Sequence, residues 1–137
     1  MTTDVHDPIR TLGPVQLRVP AEPSLSRVLR LAASGLASLT DFSVDEIEDI
    51  KIAVSEVLIA LIEHGDLQPV EIEFRVDDAG FVVRGRTAVT EFLVDHPDLV
   101  LCRTVLAGVC AEHAIDLVDG HAEIRAVVLR GAVLPRS

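Results

Sequence analysis

The sequence predicts an α+β fold, a two-layer α/β sandwich whose mainly antiparallel sheet carries its helices on one face. The first observation behind this prediction is the order of periodic segments, β-α-α-β-β-α-β-β, in which strands follow one another directly. The second is IKIAVSEVLIALIEHG at residues 50–65, a nearly continuous apolar segment that is typical of a buried helix.

The first three elements follow from local patterns. VQLRV at residues 15–19 alternates in polarity and predicts a strand. Residues 20–39 predict a helix with a proline in its first turn. Ser43 and Glu46 have the spacing of a capping box, so a second helix begins there and runs to about His64.

The second half of the chain predicts two hairpins around a third helix. VEIEFRV (70–76) and FVVRGRT (81–87) form the first hairpin, with DDAG as its turn. AVTEFLVDH (88–96) is ambiguous, and the proline that follows it predicts a helix over residues 97–112. AIDLV and AEIRAVVL, separated by DGH (119–121), form the second hairpin.

Length and composition indicate a single domain. The chain has 137 residues, of which 49% are hydrophobic. We expect one domain over 14–131, with a flexible N-terminal tail at 1–13 and a C-terminal tail at 132–137. No apolar run reaches the roughly 18 to 20 residues of a membrane span. The N-terminus lacks the apolar stretch of a signal peptide, so we expect a cytoplasmic protein.

The net charge restricts the class of partner. Twelve Lys and Arg residues against 22 Asp and Glu residues give a net charge of −10. Binding to a phosphate backbone requires clustered cations, so we expect no nucleic-acid binding. A basic protein is the partner that better complements this negative charge.

Cysteine and histidine spacing predicts neither a disulfide nor a metal site. Cys102 and Cys110 are eight residues apart on the predicted third helix, about 12 Å at 1.5 Å per residue, which is too far to bridge. The five histidines are His6, His64, His96, His113 and His121. None of them has a metal-ligand spacing with a cysteine or a carboxylate.

An acidic stripe on the second helix is the candidate site. Glu56 and Glu63 are seven residues apart and share one stripe with Ala60 between them. The stripe is either a solvated seam or the floor of a site. His64, at the end of the helix, is placed to interact with the negative end of the helix dipole.

These segments resemble the histidine-kinase-like (GHKL) ATPases, and more narrowly the small bacterial anti-sigma factors that are also regulatory serine kinases. The resemblance spans about residues 15–129 and is strongest in LRVPAEPSLSRVLRLAASGLASL and IKIAVSEVLIALIEHG. The family has Ala-Val-Ser-Glu, an Asn four residues later, and then Glu-His. The residues in register are Ala53, Val54, Ser55, Glu56, Glu63 and His64.

The resemblance implies a role for Glu56 and a missing partner for it. In the family the glutamate is the general base and the asparagine holds the magnesium that bridges the ATP phosphates. The asparagine position is occupied here by Ala60, whose methyl group cannot ligate a cation. No bound metal is therefore expected.

The adenine position also departs from the family. The family places Asp-x-Gly after the central strand, where the carboxylate accepts a hydrogen bond from the adenine amino group. The matching stretch, FVVRGRTAV, has Arg84 or Arg86 there, and arginine offers only donors. An ion pair between one of these arginines and Glu56 is the simpler structural interpretation.

The phosphate-binding segment is the third departure. DHPDLVLCRTVLAG matches the family's Leu, Leu, Arg spacing but has His96 and Asp98 where the family has glycines. A carboxylate at a helix N-terminus occupies the anion site with its own charge and repels a phosphate. In the simpler interpretation, Asp98 only complements the dipole of the third helix.

The resemblance implies an anti-sigma-factor-like regulatory protein that acts by protein–protein binding and has a degenerate nucleotide site. Its implied partner is a sigma factor or a related regulatory protein, its implied assembly is a homodimer, and no cofactor is expected. One alternative is an active serine/threonine kinase that uses ATP and Mg²⁺ to phosphorylate an anti-anti-sigma partner. The other is a structural dimerisation module, or a module that binds a partner other than a sigma factor.

Overall fold

A five-stranded antiparallel sheet forms one layer of the structure, a computed structural model that describes residues 13–131. The strand order is β1-β2-β3-β5-β4, and each neighbouring pair is antiparallel. The strands are β1 (Val15–Val19), β2 (Val70–Val76), β3 (Gly80–Ala88), β4 (Glu112–Val118) and β5 (His121–Leu129).

Three α-helices form the second layer. They are α1 (Ser26–Ala37), which follows a 3₁₀ turn at Pro23–Leu25, α2 (Val44–His64) and α3 (Leu99–Val109). Helix α2 lies against β2, β3 and β5, and both α1 and α3 pack on α2. The predicted α+β sandwich, with an antiparallel sheet and its helices on one face, is confirmed.

Strand alternation gives the sheet an apolar inner face and a charged outer face. Successive strand residues point to opposite sides, so each strand contributes to both faces. The inner-face residues that pack beneath α2 are buried, and they include Val70, Ile72, Phe74, Phe81, Val83, Ile124 and Val128. The α2 residues in the same core are Ala53, Val54, Val57, Leu58 and Leu61. Helix α2 is thus the centre of the core.

Local chemistry sets both ends of α2. At its start, the Ser43 hydroxyl accepts from the backbone N–H of Glu46 at 3.1 Å, and the Glu46 carboxylate accepts from the N–H of Ser43 at 2.7 Å. This is the predicted capping box. At its end, a side chain on Gly65 would collide with the Leu61 carbonyl and the Thr87 side chain. Glycine therefore lets the chain leave the helix close to the sheet.

The third helix is shorter than predicted. The prediction was 97–112, whereas α3 covers 99–109. Its early end has a clear cause, because the N–H of Ala111 donates to the Val127 carbonyl of β5 at 2.9 Å and Glu112 already belongs to β4. Pairing with the sheet replaces the last helical turn. The ambiguous stretch ends β3 at Ala88 and then forms neither helix nor strand.

The second hairpin has a tighter turn than predicted. Only Asp119 and Gly120 connect β4 to β5, and both have positive φ, 49° and 74°. This is the conformation that two-residue hairpin turns require. Apart from Gly13, the predicted tails at 1–13 and 132–137 lie outside the described residues. Within 13–131, no helix combines the length and apolarity that crossing a membrane requires.

Candidate functional site

Glu56 lies half-buried in the middle of α2. Burial raises the pKa of its carboxyl above the usual value, and the nearby negative charge of Glu63 raises it further. No residue within 13–131 forms a hydrogen bond or an ion pair with Glu56. The carboxylate on this helix therefore has no polar partner in the described part of the chain.

The next turn of the same stripe is enclosed by apolar atoms. Ala60 is only 4% exposed and belongs to the same core cluster as Phe92, Leu99 and Cys102. Burial raises the pKa of the Cys102 thiol to about 11, with the charges of Glu56 and Glu63 adding to the effect. This thiol of α3 thus lies close to both acids of the stripe. Ala60 offers no ligand atom for a cation.

Arg84 and Arg86 do not lie beside Glu56. Their side chains project from the outer face of the sheet, where Arg84 Nε is 3.9 Å from Glu123 Oε1 and Arg86 Nε is 3.9 Å from Glu71 Oε1. Helix α2 covers the opposite face. The expected ion pair with Glu56 is therefore wrong. The strand period of two explains the error, since it places both arginines on the outer face. Arg86 is in register with Glu71 and Glu123, and Arg84 is in register with Glu73 on β2.

The inward-facing positions of the same stretch carry no base-reading group. A Cβ on Gly85 would lie 2.7 Å from Leu61 Cδ1 and 2.7 Å from Val57 Cγ1. Val83 is buried in the core, and the Thr87 hydroxyl donates to the carbonyls of Pro69 and Gln68. The aliphatic side chains of α2 therefore fill the space where a polar side chain would have to stand.

The segment 89–98, which we call the connecting segment, crosses the end of α2. The hydroxyl and the N–H of Thr90 both donate to Asp66 Oδ2, at 3.0 Å and 2.7 Å. Phe92 is 7% exposed and anchors the segment in the core. Arg103 of α3 donates to the Val94 carbonyl at 2.9 Å. These contacts hold the first half of the segment, from Thr90 to Val94.

Two predicted site residues meet where the connecting segment ends. The rings of His64 and His96 have centroids 5.0 Å apart. Asp98 Oδ2 lies 3.9 Å from His96 Nδ1, and one potential ligand atom from each of these three residues lies within 4.8 Å of the others. Sequence spacing predicted no such cluster, because His64 and His96 belong to different elements. The cluster forms only because the end of α2 packs beside the start of α3, and sequence spacing carries no signal of that contact.

Asp98 immediately precedes α3 but does not cap it through its side chain. Its backbone N–H donates to His96 Nδ1 at 3.1 Å, and its carboxylate is 76% exposed. The negative charge still lies at the N-terminus of α3, where helix dipoles favour anions. A phosphate that approached the N-terminus of α3 would meet this negative charge.

Comparison with known protein families identifies the family of this chain. A family model described as a histidine kinase-like ATPase domain matches residues 19–97, more than half of the chain. The chain belongs to this family. The match includes the stripe of α2 and the connecting segment up to residue 97, and it ends just before Asp98.

Individual relatives match a shorter part. The serine-protein kinase RsbW of Bacillus subtilis is 44% identical over 50 residues, which are 36% of this chain and 31% of that protein. The protein of the same name from Listeria monocytogenes is 44% identical over 50 residues, 36% of this chain and 32% of that protein. The chain thus aligns with about a third of the length of these curated relatives.

A solved structure shares the fold over most of the chain. The crystal structure of the RsbU and RsbW domains of a Mycobacterium tuberculosis protein aligns with a TM-score of 0.64 and 15% identity. The alignment covers 85% of this chain and 32% of that one. At this identity the likeness concerns the fold alone.

Proposed function

We propose that this chain is an anti-sigma-factor-like regulatory protein that acts by binding another protein, and that its nucleotide site is degenerate. The observation that carries the proposal is the burial of Ala60, 4% exposed, one turn after the unpartnered Glu56. A magnesium nucleotide needs oxygen ligands for the metal and donors for the phosphates. A methyl group within an apolar core supplies neither.

Two further features support a degenerate site. The inner face of β3 presents Val83 and Gly85 beneath α2, and neither hydrogen-bonds an adenine amino group through its side chain. At the start of α3, the Asp98 carboxylate puts a negative charge at the helix N-terminus, and this charge would repel a phosphate there. These residues do not fit a magnesium nucleotide, and we assign no catalytic step to Glu56.

The charge of the chain supports a basic partner. At a net charge of −10, the protein complements the DNA-binding surface of a sigma factor, which must be basic to hold phosphates. Complementary charge mainly accelerates encounter, while a few buried contacts set affinity. We propose a sigma factor or a related regulatory protein as partner, and a homodimer as the assembly.

The first test is a titration with magnesium–ATP, using the Bacillus subtilis serine-protein kinase RsbW as the reference protein. We expect no saturable binding below millimolar concentration. Loss of the metal ligand, of base recognition and of the phosphate site should cost on the order of 1 to 3 kcal/mol each. Together these exceed the roughly 4 kcal/mol between micromolar and millimolar affinity. A micromolar dissociation constant that depends on Glu56 would contradict the degenerate site.

The second test measures binding to the sigma factors of the host at two salt concentrations, with and without magnesium–ATP. We expect association to slow markedly as the screening length falls to about 8 Å at physiological salt, and dissociation to change much less. ATP should change neither rate. The proposal is wrong if no sigma factor binds or if binding requires ATP. Light scattering on the same samples tests the homodimer.

An active kinase is the second candidate, and the retained Glu56 favours it. Such an enzyme would transfer phosphate from ATP to a serine or threonine of an anti-anti-sigma protein. A phosphate-transfer assay with that class of protein separates the two functions. Transfer that is lost in Glu56→Gln would establish the kinase. If neither a sigma factor nor a phosphorylation substrate is found, a structural dimerisation module or a different partner remains.

A further inference from the structure

We propose that His64, His96 and Asp98 form a binding site for a borderline divalent metal ion, with Zn²⁺ as the representative ion, between the end of α2 and the start of α3. Their potential ligand atoms all lie within 4.8 Å of one another. The three residues come from two elements that only the tertiary structure brings together. The site shares Asp98 with the phosphate position of the proposed function, and a zinc titration without nucleotide tests it separately from that function.

The donor set selects the class of metal. Two imidazoles and one carboxylate are typical of zinc and related transition metals, whereas Mg²⁺ prefers oxygen ligands alone. Ligand atoms around a tetrahedral zinc ion lie about 3.4 Å apart, given bond lengths of about 2.0 to 2.1 Å. The separations, all within 4.8 Å, therefore need to close by at most about 1.4 Å. The Asp98 side chain is exposed and the two rings are only half-buried, so rotation of these side chains is the movement we expect.

The surroundings attract a cation. Glu63, Glu91, His64 and His96 line one cavity of about 250 Å³ next to the cluster. Both carboxylates add negative charge to the lining of this cavity. The last carbonyls of α2 also point toward this end, and the C-terminus of a helix carries partial negative charge. The site thus combines two neutral donors with several sources of negative potential.

The protein backbone holds the ligands near their final positions. The close packing at Gly65 sets where α2 ends, and therefore where His64 lies. The Thr90–Asp66 hydrogen bonds and the buried Phe92 hold the connecting segment that carries His96. A metal bound to His96 Nδ1 replaces the hydrogen bond from the Asp98 N–H and frees that N–H for solvent.

A bound metal would join two elements that otherwise meet through side-chain contacts. It would tie the last residue of α2 to the connecting segment and to the residue before α3. Because binding stabilises the folded state in proportion to occupancy, the metal should protect the connecting segment from local opening. Zinc would then control the order of the surface next to the former phosphate site.

The experiment is a zinc titration of the untagged full chain in competition with a chromogenic chelator. We expect one Zn²⁺ per chain with micromolar or tighter affinity, and a Co²⁺ derivative whose visible absorption indicates low coordination number. His64→Gln and His96→Gln should each weaken zinc binding by at least about tenfold, since losing even an outer-shell partner of a metal ligand costs about 10- to 100-fold. Asp98→Asn should weaken it less.

His121→Gln is the matched control, because this histidine lies on β5 and approaches only the Asp119 carbonyl through its ring. It should leave zinc affinity unchanged, as should a thousandfold excess of Mg²⁺. Circular dichroism of each variant establishes that the fold is retained.

Three results would each overturn the proposal. They are the absence of stoichiometric zinc binding, zinc affinity that is unchanged in the His64→Gln/His96→Gln double variant, and displacement of zinc by Mg²⁺. Hydrogen exchange with zinc should show slower exchange in residues 89–98, and unchanged exchange there would contradict the proposed ordering.

Discussion

Helix α2 carries two polar regions that differ in almost every respect. In its middle, Glu56 is a half-buried carboxylate beside the methyl group of Ala60, and apolar side chains close over the next turn. At its end, His64 meets His96 and Asp98 at an open cavity. The middle matches the motif that the sequence resembles, except that Ala60 stands where this motif has an asparagine. His64 also belongs to that motif, but it meets polar side chains from another part of the chain.

This difference shows that the presence of a motif residue does not by itself establish a functional site. A carboxylate acts only through its neighbours, which must orient it and bind the reacting group. Glu56 shares an open pocket with polar side chains such as Arg30 and Ser55, but it forms no hydrogen bond or ion pair within residues 13–131. Burial is the first cause of the raised pKa of its carboxyl, and the charge of Glu63 is the second. At the end of the helix, three potential ligands and two nearby acids provide the multiple contacts that a site requires.

The largest effect should come from placing a carboxylate on the inner face of β3. In Gly85→Asp the new Cβ meets Val57 and Leu61 at 2.7 Å, and a buried charge has no partner there. We expect a loss of about 4 kcal/mol or more in the free energy of unfolding, measured by urea denaturation. Arg84→Ala, one residue away on the outer face, should cost under about 1 kcal/mol because it removes only an exposed ion pair.

A stable Gly85→Asp variant would show that the inner face opens into a pocket. If Gly85→Asp unfolds completely, Gly85→Ala gives the graded measurement. It introduces the same close Cβ contacts without the charge and should cost about 1 to 2 kcal/mol. A Gly85→Ala variant as stable as the parent protein would contradict tight packing of α2 on the sheet.

A smaller loss should follow from restoring the family's amide on α2. Ala60→Asn places an unpaired amide in a buried position, which should cost about 2 to 3 kcal/mol. The exposed Ala107 of α3 provides the control, since Ala107→Asn should cost only the difference in helix propensity, about 0.6 kcal/mol. Chemical denaturation measures both. If Ala60→Asn costs no more than the control and gains micromolar magnesium–ATP affinity, the nucleotide pocket is intact apart from this one residue.

The smallest effect concerns Glu56 itself. Its folded-state pKa is raised by burial and by Glu63, so the folded state retains the proton to a higher pH than the unfolded chain. The contribution of this carboxyl to the free energy of unfolding therefore falls as the pH rises above the ordinary pKa of a glutamate, 4.5. Glu56→Gln should raise the melting temperature by a few degrees at most at pH 7.5 and not at pH 4. Calorimetry at both pH values tests this.

Glu48→Gln is the matched control for Glu56→Gln on the same helix. Glu48 accepts from Lys51 at 2.6 Å on the surface, so its loss should leave the melting temperature unchanged or slightly lower. A Glu56→Gln variant that is less stable than the parent protein at pH 7.5 would show that the carboxylate has a stabilising partner, as a working base would.

Sequence alone predicted much of the fold because its signals are local. Strand alternation, the Ser43–Glu46 capping box and the turn residues each act within a few positions, and the structure confirms the order of elements and the start of α2. The third helix was predicted too long because its last residues pair with β5, which is distant along the chain. The helical period of the sequence extends over these residues, and it contains no information about a competing hydrogen bond to a distant strand.

The sequence by itself determined that Glu56, Ala60 and Glu63 share one stripe, since helical spacing decides this without any tertiary contact. The tertiary structure alone decided which way Arg84 and Arg86 point, because the period of a strand leaves open which face is covered by helices. It also decided that His64 and His96 meet. Their contact depends on how α2 ends at Gly65 and on how Phe92 anchors the connecting segment, and both are consequences of packing in three dimensions.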